Sequence, residues 1–295
     1  VRDEVRKIRE LLEREAYVTD AAVATSVYLA IALGKPLLIE GPAGVGKTEI
    51  AKVLARALHT DLIRLQCYEG LDATTALYEW NYPKQMLHIK LQESSPGNAE
   101  EKEAEIFSEP FLLKRPLLQA ITAETRPPVL LIDEIDRSDE EFEAFLLEVL
   151  SDFQVTIPEM GSVKATYRPH VVLTSNRSRE LSDALKRRCL YLWIDYPTFE
   201  KEVRIVRARV PAASQTLSAE ITRIIQSVRE LSLLKTPGVA ETLDWAGALI
   251  ALETATIDRT VLSETAGCFL KDDGDLRKLE TELASGSLQH LIPSP

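Results

Sequence analysis

Eight consecutive residues, Gly41-Pro42-Ala43-Gly44-Val45-Gly46-Lys47-Thr48, have the spacing G-x-x-x-x-G-K-T. Glycines at these places let backbone N–H groups turn inward around phosphate oxygens, and a helix starting at the lysine points its positive end at the same anion. Lys47 is expected to reach the β- and γ-phosphates of ATP, and Thr48 to donate a ligand to Mg2+. Glu49 follows directly and is counted with Gly41 to Thr48 as the cofactor-binding segment. A glycine-rich turn can match such a pattern by chance. Here an apolar run, Leu37-Leu38-Ile39-Glu40, precedes it and a helical pattern from about Lys47 to Leu58 follows, which is the context a phosphate loop requires.

A second constellation lies about eighty residues on. Val129-Leu130-Leu131-Ile132 is an apolar strand that ends in Asp133 and Glu134. Asp133 is expected in the magnesium shell, and Glu134 to orient or deprotonate an attacking water. Asn176 follows the strand Val171 to Ser175, where a neutral amide can hydrogen-bond the water and the γ-phosphate without adding repulsive charge. A turn-forming asparagine at a strand end is the plainer use of the same residue. Arg187 and Arg188 close the segment Leu181 to Leu185 and Lys186. In a ring of subunits one of them is a candidate arginine finger for the neighbouring ATP; otherwise they are a basic helix end favoured by the dipole. The sequence does not choose between the two arginines.

These residues need a frame. Val1 to Glu15 reads as a charged helix with Val1, Val5, Ile8 and Leu12 on one face, not a secretory signal. Asp20 is placed to cap a helix to Leu33, stopped by Gly34. Leu62 to Cys67 alternates as a strand, and Leu190 to Ile194 is another buried-strand candidate beside Val171-Val172-Leu173. Ser138 with Glu141 forms a capping box for a helix to Leu150. Strands alternating with helices imply an α/β fold: a parallel sheet covered on both faces. Two stretches break the rhythm. Tyr68 to Pro128 is too long for a simple connection, and Phe153 to Tyr167 reads as a hairpin, Phe153 to Ile157 and Val163 to Tyr167 about a turn at Pro158 to Ser162. Insertions of this size are usually functional or partner-facing. After Pro197 the pattern turns helical, with Ile221, Ile224, Ile225, Val228 and Leu231 on one face and Leu243, Trp245, Ala248, Leu249 and Leu252 on the next helix, separated by Pro237-Gly238. The expected division is a nucleotide-binding αβα domain over 1–197 and a helical lid domain over 198–295.

Composition narrows the partners. Of 295 residues 45% are hydrophobic, enough for a packed core, and no apolar run is long enough for a transmembrane segment. A formal net charge of -11 argues against nucleic acid as the ligand, and any phosphate site must supply its positive charge locally. Cys67, Cys189 and Cys268 are far apart, and His59, His88, His170 and His290 equally scattered, so neither disulfides nor a zinc site is indicated and the cytoplasm is the expected compartment. Glu100, Glu101, Glu103 and Glu105 read as a solvated face or linker.

Taken together, the phosphate loop, the Asp133-Glu134 pair, Asn176 and the Ala184-Leu185-Lys186-Arg187-Arg188 segment resemble the AAA+ ATPases in order and spacing, as Walker A, Walker B, sensor 1 and finger. The hairpin resembles a pre-sensor-1 insertion and Tyr68 to Pro128 leaves room for a helix-2 insertion, both as in the MoxR branch. Gln66 to Asp72, Tyr78-Glu79-Trp80-Asn81-Tyr82-Pro83 and Pro237 to Trp245 are similar to the CoxD-like subgroup of accessory ATPases found with molybdenum hydroxylases such as carbon monoxide dehydrogenase. The resemblance implies a homo-oligomeric ring, a hexamer, acting as an ATP-driven chaperone on a molybdenum hydroxylase awaiting its metal centre, with a von Willebrand A-domain partner. One departure stands out: at the place of a sensor-2 arginine this chain has Glu241, which cannot pair with a γ-phosphate, so either another basic residue of the lid serves or lid closure is weakly coupled to nucleotide, and hydrolysis is expected to be slow without a partner. Tyr78 to Pro83 is read either as a client-contacting loop or as an insert that packs its aromatics on the domain. Two other functions fit the same motifs: a nucleotide-gated assembly switch, mildly favoured by Glu241, and a DNA-dependent AAA+ motor, disfavoured by the acidic balance.

Overall fold

Apolar runs of four or five residues are too short to bury as helices, and here they become strands. The computed structural model describes residues 2–92 and 98–286, excluding the side chains of residues 99–102. Val1 and His290, and the side chains of Glu100 and Glu101, lie outside the described residues. Helices α1 (Arg2–Arg14) and α2 (Ala21–Leu33) lead into strand β1 (Leu37–Glu40), and α3 (Lys47–Ala57) into β2 (Leu62–Gln66). The long insertion holds α4 (Ala73–Leu77), β3 (Tyr78–Trp80), α5 (Tyr82–Gln92), α6 (Ala99–Ile106), β4 (Leu112–Lys114) and α7 (Pro116–Ile121). Next come β5 (Val129–Asp133), α8 (Glu140–Asp152), the hairpin β6 (Gln154–Ile157) and β7 (Gly161–Lys164), β8 (His170–Ser175), α9 (Asp183–Arg188) and β9 (Leu190–Trp193). The remainder is helical: α10 (Phe199–Arg209), α11 (Gln215–Arg229), α12 (Val239–Ala251), α13 (Arg259–Thr265) and α14 (Asp273–Ser285).

The chain forms two compact units. One comprises residues 22–40 and 51–192. Its five-stranded sheet has the order β2-β5-β8-β1-β9, with β2, β5, β8 and β1 paired in parallel. All four residues of β1 and all five of β5 are buried, as a parallel sheet covered on both faces demands. The register places Gln66 beside Asp133 and Glu40 beside Ser175, so the carboxyl ends of these strands share one edge. In α/β sheets that edge is where ligands bind.

The second unit comprises residues up to 21, 41–50 and those from 193 on. Ile221, Ile224, Ile225 and Val228 of α11 pack with Trp245 and Leu249 of α12 in its core. A buried ion pair ties three of its helices: Arg229 donates to both oxygens of Glu202, each at 2.7 Å, and the Thr242 hydroxyl adds a third bond at 2.8 Å. Arg229 also donates through Nε to the Pro237 carbonyl at 2.8 Å, which fixes the turn leading into α12. Buried charge survives only when paired and fully hydrogen-bonded, and this pair meets that condition.

Several local expectations shift. The N-cap of α8 is Asp139, whose side chain accepts from Phe142 N, not Ser138. The Ser138 hydroxyl instead donates to the Ile135 carbonyl at 2.8 Å, closing the turn before the helix. Phe153 lies outside the hairpin: with φ 49 it ends α8 in the left-handed region, and β6 starts one residue later. The return strand starts earlier than expected, at Gly161, and stops at Lys164 rather than Tyr167. Leu252 does not line α12; the helix ends at Ala251, and Leu252 is 62% exposed. In Tyr78 to Pro83 the packing alternative holds for Trp80, which is buried edge-on against Tyr78 and Phe107, while Tyr82 is 62% exposed.

Candidate nucleotide site

From Glu40 the chain passes directly into the loop Gly41–Thr48 and then α3. Gly44 and Gly46 have φ of 74 and 92, a region that side-chain-bearing residues rarely adopt. Gly41 is required for a different reason: a Cβ there would stand 1.9 Å from the Ile194 carbonyl oxygen. Both parties to that clash are main chain and cannot swing aside. Gly41→Ala is therefore expected to lower stability by about 1–3 kcal/mol or to displace the loop. Denaturant unfolding of the variant, with the midpoint compared at constant slope, measures it.

Lys47 is buried, and its ammonium donates to the carbonyl oxygens of Gly41 at 2.8 Å and Pro42 at 2.6 Å. The cation is thus bound to the loop it serves, as an acidic chain with few local positive charges needs. Thr48 and Glu49 stand in the first turn of α3. The Glu49 carboxylate pairs with Arg209 at 3.2 Å, so the structure gives it a partner in α10. Tyr17 approaches from the other side, its ring 3.9 Å from where a Cβ on Gly46 would be. Burial, with Asp20 and Glu49 nearby, pushes the Tyr17 hydroxyl pKa up, and it stays protonated.

At the carboxyl end of β5 the two acids have distinct surroundings. Asp133 is buried, and each of its oxygens is used: Oδ1 accepts from the Thr174 hydroxyl at 2.6 Å, while Oδ2 accepts from Arg64 Nε at 3.0 Å and Nη2 at 2.6 Å. Glu134 is half-buried, with φ 56, and its N–H donates to the same Thr174 hydroxyl at 2.9 Å. Its Oε2 accepts from Gln66 Nε2 at 3.0 Å and Arg137 at 3.3 Å. One acid is buried and locked by a short pair with Arg64; the other is partly exposed, held by Gln66 and a longer pair with Arg137. Beneath them Cys67 is fully buried, and burial together with Asp133, Asp136 and Glu134 pushes its thiol pKa up to about 12. It is no nucleophile.

Asn176 directly follows β8. Buried Asp136 positions it, accepting from Asn176 N at 3.2 Å, Ser178 N at 2.8 Å and the Ser178 hydroxyl at 2.7 Å. Buried Glu143 of α8 continues the brace, pairing with Arg179 and accepting from Ser182 N at 2.9 Å. Ser182 is the N-cap of α9, the short helix that ends in Arg187 and Arg188. The two arginines differ. Arg188 donates to the Ser151 hydroxyl at the end of α8. The Arg187 side chain is exposed and makes no hydrogen bond or ion pair among the described residues.

Sequence reading missed Arg64, Gln66, Thr174 and Asp136. Polar Arg64 and Gln66 alternate along β2, but only its pairing with β5 brings them to the acids.

This combination, a parallel α/β sheet with a glycine-lysine phosphate loop after β1 and paired acids ending β5, defines a P-loop NTPase of the AAA+ type. Residues 37–193 match the AAA family, the ATPase family associated with various cellular activities. The chain belongs to that family and is an ATPase. It is 24% identical over 229 residues to an uncharacterised protein of Staphylococcus haemolyticus, covering 75% of this chain and 79% of that one. It is also 24% identical over 270 residues to the gas vesicle ATPase GvpN1 of Halobacterium salinarum, covering 86% of this chain and 74% of that one. Among solved structures, a proline-to-glycine mutant of Thermotoga maritima RuvB shares the fold, with TM-score 0.51, 17% identity, and coverage of 97% of this chain and 77% of that one. Among the described residues no helix is long and apolar enough to cross a membrane.

Proposed function

We propose that this chain is a MoxR-type remodelling ATPase that works in the cytoplasm as a homo-oligomeric ring, a hexamer, and drives conformational change in a protein client. The observation that carries the reading is the acid pair ending β5, in which Asp133 is buried and tightly paired with Arg64 at 2.6 Å, while Glu134 is partly exposed and held by Gln66 and a looser pair with Arg137 at 3.3 Å. Two adjacent carboxylates in unlike surroundings can take unlike roles.

In this reading residues 1–197 bind nucleotide and 198–295 form the lid. The amides of Gly41 to Thr48 and the Lys47 ammonium hold the β- and γ-phosphates of ATP. Thr48 and Asp133 offer a hydroxyl and a carboxylate, the hard oxygen donors magnesium prefers, and Asp133 is already arranged to meet positive charge. A magnesium ion held there would supply positive charge to offset that of the phosphates. Glu134 takes the proton of the attacking water, and the Asn176 amide orients that water. Arg187 of one subunit stabilises charge on the γ-phosphoryl group of its neighbour's ATP, because Arg188 is already committed to Ser151.

The client class we favour is a molybdenum hydroxylase such as carbon monoxide dehydrogenase at the stage of metal-centre assembly, with a von Willebrand A-domain protein as partner. Gln66 to Asp72, Tyr78 to Pro83 and Pro237 to Trp245 support it by their similarity to the CoxD-like subgroup. Exposed Tyr82, Met86, Leu87 and Leu91 on α5 support contact with a protein rather than a small molecule.

Titration calorimetry with ATP and magnesium, alongside phosphate release, tests the reading. Wild-type chain should take up ATP and turn it over, and Lys47→Ala should weaken uptake by at least about tenfold. Failure of the wild type to bind ATP would sink the proposal. Co-purification with molybdenum hydroxylase subunits tests the client, and its absence from cells that express both would remove that assignment.

A further inference from the structure

The first turn of α12 is fastened to the phosphate loop by main-chain contacts. Ala240 N donates to the Gly44 carbonyl at 3.1 Å. Gly238 lies so close to Gly44 that a Cβ on it would stand 2.7 Å from Gly44 Cα and 2.8 Å from the Ala43 carbonyl oxygen. Gly238 has no room for a side chain, and at Gly44 a Cβ would be tightly crowded on a backbone of φ 74. The residue that completes this contact is Glu241. Its Oε2 accepts from Gly238 N at 2.9 Å and lies 3.0 Å from where a Cβ on Gly44 would be.

A carboxylate is thereby fixed against the loop whose amides face phosphate. Among the described residues Glu241 makes no ion pair. Arg229, which fixes the preceding turn, spends its charge on Glu202. The negative charge of Glu241 is therefore left to act on whatever anion the loop holds. Over less than a Debye length, in a partly buried setting, that repulsion is poorly screened.

We propose that Glu241 is a specificity-determining residue that lowers the affinity of the loop for nucleoside triphosphate more than for diphosphate. This rests on the reading that Gly41–Thr48 binds nucleotide. The γ-phosphate adds charge to the ligand, so a fixed carboxylate penalises ATP more than ADP. The same carboxylate caps α12, so charge and structure must be separated. Glutamine retains an acceptor oxygen for Gly238 N–H but carries no charge; aspartate retains the charge on a shorter arm.

The experiment is calorimetric affinity for ATP and for ADP, each with magnesium, at low and at high salt, in chains that also carry Glu134→Gln to suppress turnover. Adding Glu241→Gln should tighten ATP by roughly tenfold at low salt and ADP by less, and the gain should shrink at high salt. Glu241→Asp should keep the parental ATP-to-ADP ratio even where it lowers stability. A purely structural cap would move both nucleotides together and independently of salt. An unchanged ATP-to-ADP ratio in Glu241→Gln at low salt, with both nucleotides still bound, overturns the assignment of Glu241 alone. Failure of the parental chain to bind either nucleotide overturns the nucleotide reading with it.

Discussion

In assembled protein, Arg187→Ala should lower ATP turnover by roughly 10³- to 10⁵-fold, the range a finger arginine commands, while Arg188→Ala leaves most of it. The expectation follows from what each guanidinium does at home. Arg188 is held by the Ser151 hydroxyl, and losing that exposed contact costs about 1 kcal/mol of stability at most. The Arg187 side chain is exposed at the end of α9 with no hydrogen bond or ion pair among the described residues. Its helix is nevertheless well anchored, because Glu143 accepts from Ser182 N at the N-cap and pairs with Arg179. A free charge on a braced helix is suited to reach another subunit. Lysine should not substitute, because a point charge does not reproduce the planar fork. Mixing distinguishes action in trans from a folding defect: Glu134→Gln subunits, inactive themselves but with Arg187 intact, should restore turnover to Arg187→Ala subunits. Full activity in Arg187→Ala alone, with loss in Arg188→Ala, would reverse the assignment.

The elements that flank the local motifs were legible in the sequence. Gly41 to Thr48 is a pattern of immediate neighbours, and β1 and α3 appear on either side where the pattern put them. Asp133 and Glu134 likewise end an unbroken apolar strand. What escaped depends on pairing between distant segments. Arg64 and Gln66 meet the acids only because β2 lies parallel to β5 in a register that sets Gln66 beside Asp133, and no local pattern gives a register. Asp136 escaped for the same reason: its role exists only when the turn after β5 meets the loop after β8. Smaller misses have smaller causes. Ser138 and Asp139 can each cap a helix, and the choice fell to Asp139 because the Ser138 hydroxyl closes the preceding turn. The face counted on α12 ran one residue past the helix, into Leu252. Glu241 was visible as a departure from pattern, but its closeness to Gly44 was not.

The acid pair itself makes the most direct demand on the mechanism. Glu134→Gln should cut turnover on the order of 10²- to 10⁴-fold, as loss of a general base does, while ATP uptake stays near the wild-type level. Glutamine matches the glutamate in size, and the Glu134 N–H bond to Thr174 does not involve the side chain, so the left-handed backbone at this position is retained. Asp133 keeps Arg64 and Thr174 and is untouched. What is lost is a basic oxygen. Among the described residues both contacts of the carboxylate, from Gln66 and Arg137, fall on Oε2, which leaves Oε1 as the oxygen to receive the proton of water. Gln66→Ala should therefore have a milder effect: the base remains, but its orientation is no longer held from β2. The comparison needs nucleotide binding and single-turnover phosphate release measured on the same preparations. Turnover within a few-fold of wild type in Glu134→Gln would mean that the water gives its proton elsewhere, and the division of labour between Asp133 and Glu134 would have to be abandoned.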